Sequence, residues 1–196
     1  MTTALCSVND VKLYLSIPSD DTTDDTLLGS MVDAVNEFIE AETDRIFADP
    51  GSDTTKYFDK SSIDQSGLLW LGDDLLSLTS ITNGNGDSIA TNKVQLWPLN
   101  STPTYVIKLL ASSELYWQFD YNDSVIGITG RWAYSSTVPK QVKQAAIRLA
   151  AWVYKQKDNF QETDRPIMTA DGMVIMPNKF PKDIDTWLKS MKRVVL

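Results

Sequence analysis

Hydrophobic residues recur at helical spacing near the start of the chain, in two rows separated by a polar stretch. Ser7 and Asp10 have the spacing of a capping box, which predicts a short helix that ends before Pro18. A longer apolar row predicts a second helix from about Asp24 to Thr43, with acidic residues at its N-terminus, where the helix dipole favours negative charge.

Between Thr54 and Trp132 the pattern changes to short β-type runs separated by turn residues. The stretch NGNGD, from Asn83 to Asp87, predicts a hairpin turn because Asn-Gly tolerates positive φ at little cost. These runs predict a small antiparallel sheet or barrel-like insertion, whose edges need pairing or covering. The candidate strands are TKYFD, LLWL, LLSLTSIT, KVQLW, YVIKLL and SVIGITGRW.

The helical period returns at Pro139, which suits a first helical turn because its missing N–H costs nothing there. Apolar residues then cover most of the circumference, which predicts a long helix buried on most sides. After Lys157 the sequence predicts a polar linker, a small hairpin about Asp171 and Gly172, and a terminal amphipathic helix. Such a short helix is not stable alone, so we expect it to dock on its own domain or on a partner.

These patterns predict an α+β fold. Two N-terminal helices and a long buried helix form a helical core, with an inserted small antiparallel β region and a C-terminal hairpin and helix. We place the core domain at residues 1–157, with the β insertion at about 54–134, and the linker, hairpin and docking helix at 158–196.

Composition excludes several classes of protein. With 42% hydrophobic residues the chain of 196 residues is too apolar for disorder, and its apolar runs are too short to cross a membrane. No basic region precedes an apolar run at the N-terminus, so we expect no secretion signal. Cys6 is the single cysteine, which excludes an internal disulfide framework and fits synthesis in a reducing cytoplasm.

The formal net charge of −8 argues against a groove that clamps phosphates, because nucleic-acid affinity comes mainly from Lys and Arg. The charge is uneven, since residues 1–138 hold 20 acids and 7 bases while residues 139–196 hold 6 acids and 11 bases. This polarity fits either the solvated faces of unlike helices or a contact between the basic end of one subunit and an acidic side of another or of a partner.

The sequence offers little equipment for catalysis. It contains no histidine, which removes a Ser-His-Asp or Cys-His arrangement and any imidazole metal site. It has no glycine loop that would cradle a phosphate or a dinucleotide, and Cys6 lacks surroundings that would make it a nucleophile. We therefore expect no enzyme, no metal and no cofactor.

Two acidic pairs are the remaining candidates for chemistry. Asp24 with Asp25, and Asp73 with Asp74, offer paired carboxylates for acid–base work. Adjacent residues at a helix start or a turn normally diverge, however, which favours a structural role for both pairs.

The NGNGD stretch also imitates the first half of a calcium-binding loop. Ser88 stands where such a loop needs glycine, and Val94 stands where it needs the closing glutamate. A plain hairpin turn is therefore the favoured interpretation.

Aromatic residues concentrate in the β region. They offer either a platform that stacks bases or sugars, or packing in the core and between subunits. Packing is favoured, because few basic residues lie among the aromatic ones. The set comprises Trp70, Trp97, Tyr116, Trp117, Phe119, Tyr121, Trp132 and Tyr134.

The order of these segments resembles the head–tail connector (adaptor) proteins of tailed bacteriophages. The resemblance spans nearly the whole chain, from VNDVKLYLSIPSDDTTDD through KYFD and LLWLGDDLLSLTSITNGNGDSI to the ADG hairpin and terminal helix. Its most specific parts are the opening helix pair that ends in ETDRIF and the junction GITGRWAYSSTVPKQVKQAA.

The resemblance implies a structural virion protein at the head–tail interface, made in the cytoplasm of the host bacterium. It implies a homo-oligomeric ring of twelve copies beneath the portal, around a channel through which DNA enters and leaves the capsid without specific binding. The portal protein is the implied partner above, and a stopper or tail-completion protein is the implied partner below. The family has no active site, so no residue role follows from the resemblance.

Two surfaces are our own candidates from the residues. The net positive C-terminal region and its Trp187-centred apolar stripe suggest a portal-binding surface, made of Ile184, Trp187, Leu188, Met191, Lys192 and Arg193. A net-acidic wall would repel passing DNA, which suggests that acids of the second helix line the channel: Asp33, Glu37, Glu40 and Glu42.

Two alternative functions stay open at this point. One is a tail-completion or stopper protein of the same particle, which would bind the tail instead of the portal. The other is a carbohydrate-binding module that uses the aromatic β region, which glycan binding by the isolated protein would reveal.

Overall fold

The computed structural model describes residues 4–121, 123–157, 167–168, 174–175 and 181–193. The chain divides into two compact units. The helical unit is formed by residues 2–44 and 139–193, and the β unit by residues 45–138. The β unit is thus an insertion between two parts of the helical unit, and the α+β class expected from the sequence is confirmed.

The helical unit begins with helix α1, Val8–Leu15, and helix α2, Asp25–Thr43. The predicted capping box is present at the start of α1, where the Ser7 side chain accepts from the Asp10 N–H and the Asp10 side chain accepts from the Ser7 N–H. Both helices end on a residue with positive φ, as left-handed C-caps do.

The chain returns to the helical unit in helix α3, Lys140–Gln156, which follows Pro139 as predicted. Helix α4, Lys182–Met191, packs against α2. The core of this unit is aliphatic and draws on all four helices. Its buried residues include Val11, Leu28, Val32, Val35, Ile39, Val142, Ala146, Leu149, Ala150, Ile184 and Leu188.

Six strands form one antiparallel sheet in the β unit, in the order β1-β6-β2-β5-β4, with β3 paired to the end of β2. The small antiparallel insertion expected from the sequence is therefore confirmed. The strands are β1 Thr54–Phe58, β2 Leu68–Thr82, β3 Ser88–Ile89, β4 Val94–Trp97, β5 Thr104–Leu109 and β6 Ile126–Trp132.

Strand β2 corrects one detail of the sequence interpretation. The segments LLWL and LLSLTSIT were expected as separate strands, but they form one strand of 15 residues, with a register irregularity between Trp70 and Leu75. Gly72 adopts φ +63° within the irregularity. Asp73 pairs with Lys56 and Asp74 with Arg45, so distant basic residues hold the two carboxylates that interrupt the hydrophobic pattern.

The predicted turn at Asn83 to Asp87 joins β2 to β3. Its backbone closes through an N–H···O bond of 2.7 Å from Asn83 to Asp87, and Gly86 adopts φ +86°. The side chain of Asn83 does more than turn the chain, since it donates to the Tyr116 carbonyl and accepts from the Gln118 N–H. The turn therefore also anchors the loop that follows β5.

A hydrophobic cluster forms the core of the β unit among its described residues. It combines one face of β2 with residues of β1, β5 and β6, as the alternation of buried and exposed positions along the strands requires. Its members include Phe58, Leu69, Leu71, Leu75, Ile81, Ile107, Ile126, Ile128 and Trp132.

Near the C-terminus, strand β7, Ile167–Met168, pairs antiparallel with strand β8, Val174–Ile175. This agrees with the predicted hairpin, although the Asp171–Gly172 turn itself and the linker at 158–166 lie outside the described residues. No helix within the described ranges is long and apolar enough to cross a membrane.

Candidate interaction surfaces

The acidic pairs are structural in this fold. Asp24 accepts hydrogen bonds from Tyr154 and Lys157 at 2.5 and 2.6 Å, whereas Asp25 lies 2.5 Å from Lys12. The contacts from Lys157 and then Tyr154 lower the pKa of Asp24, so its carboxylate stays ionised. Because neighbouring carboxylates have separate partners, as they also do at Asp73 and Asp74, neither pair forms an acid–base dyad.

The remaining chemical candidates are equally inert. Cys6 is buried, and this burial, followed by the charge of Asp10, raises the pKa of its thiol to about 11. The described part of the chain contains no group of three His, Cys, Asp or Glu residues that could hold a metal ion. Surfaces of the described residues are the next candidates for function.

Helix α4 divides the predicted portal-binding residues into two groups. Ile184 and Leu188 are 2% and 3% exposed, so they hold α4 on its own unit. Trp187 and Met191 are half-buried, and Lys192 is exposed. The part of the predicted surface that reaches solvent is therefore formed by Lys192 and by the exposed portions of Trp187 and Met191, while the Trp187 indole nitrogen is itself buried. Portal binding by this helix stays a prediction.

Polar contacts fix both ends of α4. Asp183 lies 2.5 Å from Arg148 of α3 at the start of the helix. After its end, the Arg193 N–H donates to the Thr43 carbonyl at 2.9 Å, and the Arg193 guanidinium lies 2.6 Å from Asp44. Arg193, predicted as a partner-binding residue, thus joins α4 to the C-terminal end of α2.

The four acids predicted to line a channel lie on α2. Asp33, Glu37 and Glu42 are exposed, while Glu40 is half-buried. Burial, followed by the nearby charge of Glu37, raises the pKa of Glu40. None of the four forms a salt bridge with another described residue, and three of them present negative charge to solvent. Their place in an assembly stays a prediction.

An apolar groove runs between α2 and α3 within the helical unit. Its volume is about 470 Å³, and its walls are almost entirely hydrocarbon and aromatic. The groove was not predicted, because helical spacing of apolar residues on α2 indicates one apolar face and not an open cleft beside it. Residues that line it include Leu27, Met31, Ala34, Leu149, Trp152 and Val153.

Helix α1 exposes large apolar side chains on its outer side. Val11 and Lys12 are buried, but Leu13 is 80% exposed and Tyr14 is 51% exposed. Isolated exposed apolar residues are ordinary on protein surfaces, whereas two adjacent ones on a short helix form a small apolar projection. This projection was not predicted either, because the apolar spacing on α1 indicates only the row that faces inward.

The aromatic residues of the β unit serve mainly in packing. The Trp132 indole N–H donates to the Thr54 carbonyl and that of Trp117 to the Gly67 carbonyl, each at 3.0 Å, so their polar edges are already used. A hollow of about 580 Å³ borders Trp117, and Tyr116 and Tyr121 beside this region are more than 70% exposed. The two tryptophans therefore serve in packing of the β unit, whereas Tyr116 and Tyr121 are exposed to solvent.

Comparison with known proteins gives one family and several structures. The model of the family described as HCP, head completion protein, matches residues 4–194. No curated protein matches the chain.

Three similar structures come from gene transfer agent (GTA) particles. A chain in the neck of the empty particle, computed with C6 symmetry, has a TM-score of 0.61 at 14% identity, over 96% of this chain and 90% of that one. A chain in the neck of the native particle, computed with C12 symmetry, has a TM-score of 0.57 at 13% identity, over 100% and 94%. A chain in the native virion has a TM-score of 0.59 at 15% identity, over 96% and 90%. At these identities the likeness establishes a shared fold.

Proposed function

The chain belongs to the head completion protein family, and from this premise we propose that it is a structural subunit of the head–tail connector in a tailed-phage-like virion. The observation that carries the proposal is the family match over residues 4–194, which leaves almost no part of the chain unexplained. The absence of histidine and the separate partners of the acidic pairs are consistent with a structural role.

The proposed assembly is a ring of twelve copies beneath the portal. It links the portal to a stopper or tail component and leaves a channel through which DNA is packaged and ejected. The similar GTA chains belong to particle necks computed with C6 and C12 symmetry, which supports a ring for this chain. The net charge of −8 suits a wall past which a duplex slides, because a surface poor in uncompensated Lys and Arg gives DNA little affinity.

We assign portal contact to the outward side of α4. Trp187 supplies a large amphipathic side chain, a residue type enriched at protein interfaces, and Lys192 supplies positive charge at an exposed position directly after the helix. Ile184 and Leu188 would contribute indirectly, by holding the helix in place. Deletion of residues 181–196 would also remove these two core residues, so single substitutions give a cleaner test.

The decisive experiment combines the full-length protein with the portal of the same particle and images the product by electron microscopy. We expect a ring of this chain on the tail-facing side of the portal. A ring that binds only the tail would identify a stopper or tail-completion protein instead, and glycan binding with no ring would favour a carbohydrate-binding module.

The α4 assignment is tested in the same assay. Trp187→Ala and Lys192→Glu should each weaken portal binding at least several-fold, as substitutions at an interface centre do. Tyr121→Ala, which truncates an exposed aromatic side chain of the β unit, is the control and should leave binding unchanged. Normal binding by both α4 variants would contradict the assignment while leaving the connector function intact.

A further inference from the structure

We propose that the groove between α2 and α3 receives the α1 projection, Leu13 and Tyr14, of the next copy of this chain. This inference rests on the proposed ring and adds the lateral contact that would close it. The contact is head-to-tail, so each copy gives one projection and receives another.

The groove has the properties of a protein-binding surface. Its walls combine Leu27, Met31 and Ala34 of α2 with Trp152 and Val153 of α3, and its volume of about 470 Å³ has room for several side chains. Leu27 is 39% exposed. Because burial of apolar surface is favourable, this side chain would be stabilised by a partner that covers the groove. Burial of such an apolar groove is a large favourable term in protein association.

The α1 projection lies on a fixed element. Leu13 and Tyr14 extend from a helix that is itself fixed, because Val11 is fully buried and Lys12 is paired with Asp25. A projection on a rigid element loses little conformational entropy when it binds. Tyrosine is also among the residues most enriched where interfaces concentrate their binding energy.

The two surfaces lie on opposite flanks of α2. Asp25 contacts Lys12, and the Asn36 side chain accepts from the Leu5 N–H at 3.2 Å, so α1 and the residues before it lie along the flank that carries positions 25 and 36. With 100° per residue, the groove positions 27, 31 and 34 lie on the other side of the buried row at 28, 32, 35 and 39. One copy therefore cannot fill its own groove with its own α1 projection.

Opposite placement is what a ring requires. A cyclic assembly of more than two copies uses two different surfaces on each subunit, whereas a twofold dimer uses one self-complementary patch. A groove on one flank and a projection on the other satisfy the first arrangement and not the second. This is the reason for choosing a second copy as the occupant.

Charge around the two surfaces supports the same occupant. The loop after α1 carries Asp20 and Asp21, both exposed, whereas exposed Lys155 lies one helical turn beyond Trp152 at the groove. Hydrogen bonds from Thr23 lower the pKa of Asp21, which keeps that acid ionised. Lys155 on the α3 side of the groove would attract these acids, whereas exposed Glu37 on the α2 side would repel them, so the charges favour docking with the acidic loop towards α3. Like charges would also disfavour a contact between two projections.

The proposal is tested by cross-linking of full-length protein that contains Leu13→Cys and Ala34→Cys. Both positions are exposed, so neither change disturbs the core. The assembled ring on the portal is treated with a short bis-maleimide and analysed on a denaturing gel. We expect a ladder of two, three and more covalently linked chains, because each copy carries both thiols in a head-to-tail contact.

Three controls make the ladder specific. The unmodified chain contains only Cys6, which is buried and poorly reactive, and should give no ladder. Leu13→Cys with Asp33→Cys moves the second thiol by one residue, to the other flank of α2, and should give much less product. A mixture of the Leu13→Cys and Ala34→Cys single variants should give linked dimers and no longer species.

The outcomes separate this inference from the proposed function. Rings on the portal without a ladder would overturn the α1-to-groove contact and leave the connector function standing. Failure of the unmodified protein to form any ring on the portal would overturn the function itself. If Ala34→Glu keeps its rings but loses the portal, the groove receives the portal and the second copy is the wrong occupant.

Discussion

At the scale of single residues, one glycine sets how closely two central strands approach. A Cβ atom at Gly130 of β6 would lie 2.1 Å from the Ser77 carbonyl oxygen of β2, which is far inside van der Waals contact. At Gly127 of the same strand, the nearest atom to such a Cβ is 3.6 Å away. Both glycines are buried, but only at position 130 would a larger residue collide with the neighbouring strand.

This difference predicts unequal effects of the same substitution. Gly130→Ala should destabilise the β unit by about 1–3 kcal/mol, the usual range for overpacking a well-filled site. Gly127→Ala is the matched control and should cost much less. Urea denaturation of both variants measures the difference, and equal midpoints would show that the strands can separate without cost.

A second residue-scale prediction concerns Glu40. Burial raises the pKa of its carboxyl above the ordinary value of 4.5, so the ionised form is disfavoured in the folded state. Ionised Glu40 therefore lowers the free energy of unfolding at neutral pH. This loss of stability disappears as the pH falls below 4.5, where the carboxyl is protonated in both the folded and the unfolded state. Glu40→Gln should therefore raise the melting temperature at pH 7 and have a shrinking effect towards acid.

The control for this change is Glu42→Gln, an exposed acid two residues later on the same helix. It removes the same charge without relieving burial, so it should alter stability less at pH 7. Thermal unfolding followed by circular dichroism between pH 4 and pH 7 is the measurement. A Glu40→Gln gain that did not depend on pH would mean that shape, and not ionisation, is responsible.

At the scale of elements, the helices followed from the sequence because their signals are local. The Ser7–Asp10 capping box, the acidic start of α2 and Pro139 before α3 each act within one or two turns of chain, and all three lie where the pattern predicted. The antiparallel strands and the NGNGD turn were predicted for the same reason, since turn chemistry is a property of a few adjacent residues.

What could not be predicted depends on residues far apart in the sequence. The sequence predicts two strands where the structure has the continuous strand β2. The aspartates between the two predicted strands pair with Lys56 and Arg45, which lie 17 and 29 positions away in the sequence. The groove went unnoticed because apolar spacing on α2 does not distinguish residues that face the core from those that face an open cleft. Likewise, the spacing of apolar residues predicts an apolar stripe on α4, but it does not predict which residues of the stripe the helical unit buries.

Helix α1 offers an element-scale prediction. Its capping box satisfies N–H groups at the first turn, so Ser7→Ala should destabilise the helix by about 1 kcal/mol. Asn9→Ala, an exposed change two residues later, is the control and should be nearly neutral. Hydrogen exchange of the α1 amides measures the local effect. Equal protection in the two variants would mean that packing of Val11, and not the cap, holds the helix.

At the scale of the whole molecule, charge is segregated by helix. Helix α2 contains five acids and no base, while α3 contains four bases and no acid. The attraction between them favours their packing within the helical unit, and copies in a ring would repeat the same pattern around the axis. If α2 or α3 faces the channel, the proposed ring presents one sign of charge there twelve times.

The channel hypothesis can therefore be tested through a repeated charge reversal. Asp33→Lys with Glu37→Lys changes two exposed positions of α2, and in a ring each subunit would add the same positive charge to one circle. If this circle lines the channel, rings of the variant should bind short duplex DNA that wild-type rings ignore. The binding should weaken steeply with salt, because Lys contacts with phosphates release counterions.

The matched control is Asp120→Lys with Asp123→Lys, which makes the same change of charge at exposed positions of the β unit. Electrophoretic mobility of ring–DNA mixtures at several salt concentrations compares the two. Because both variants have the same net charge, a difference between them reports location and not overall attraction. DNA binding by the α2 variant alone supports a channel lined by Asp33 and Glu37, whereas equal binding by both would remove these acids from the channel wall.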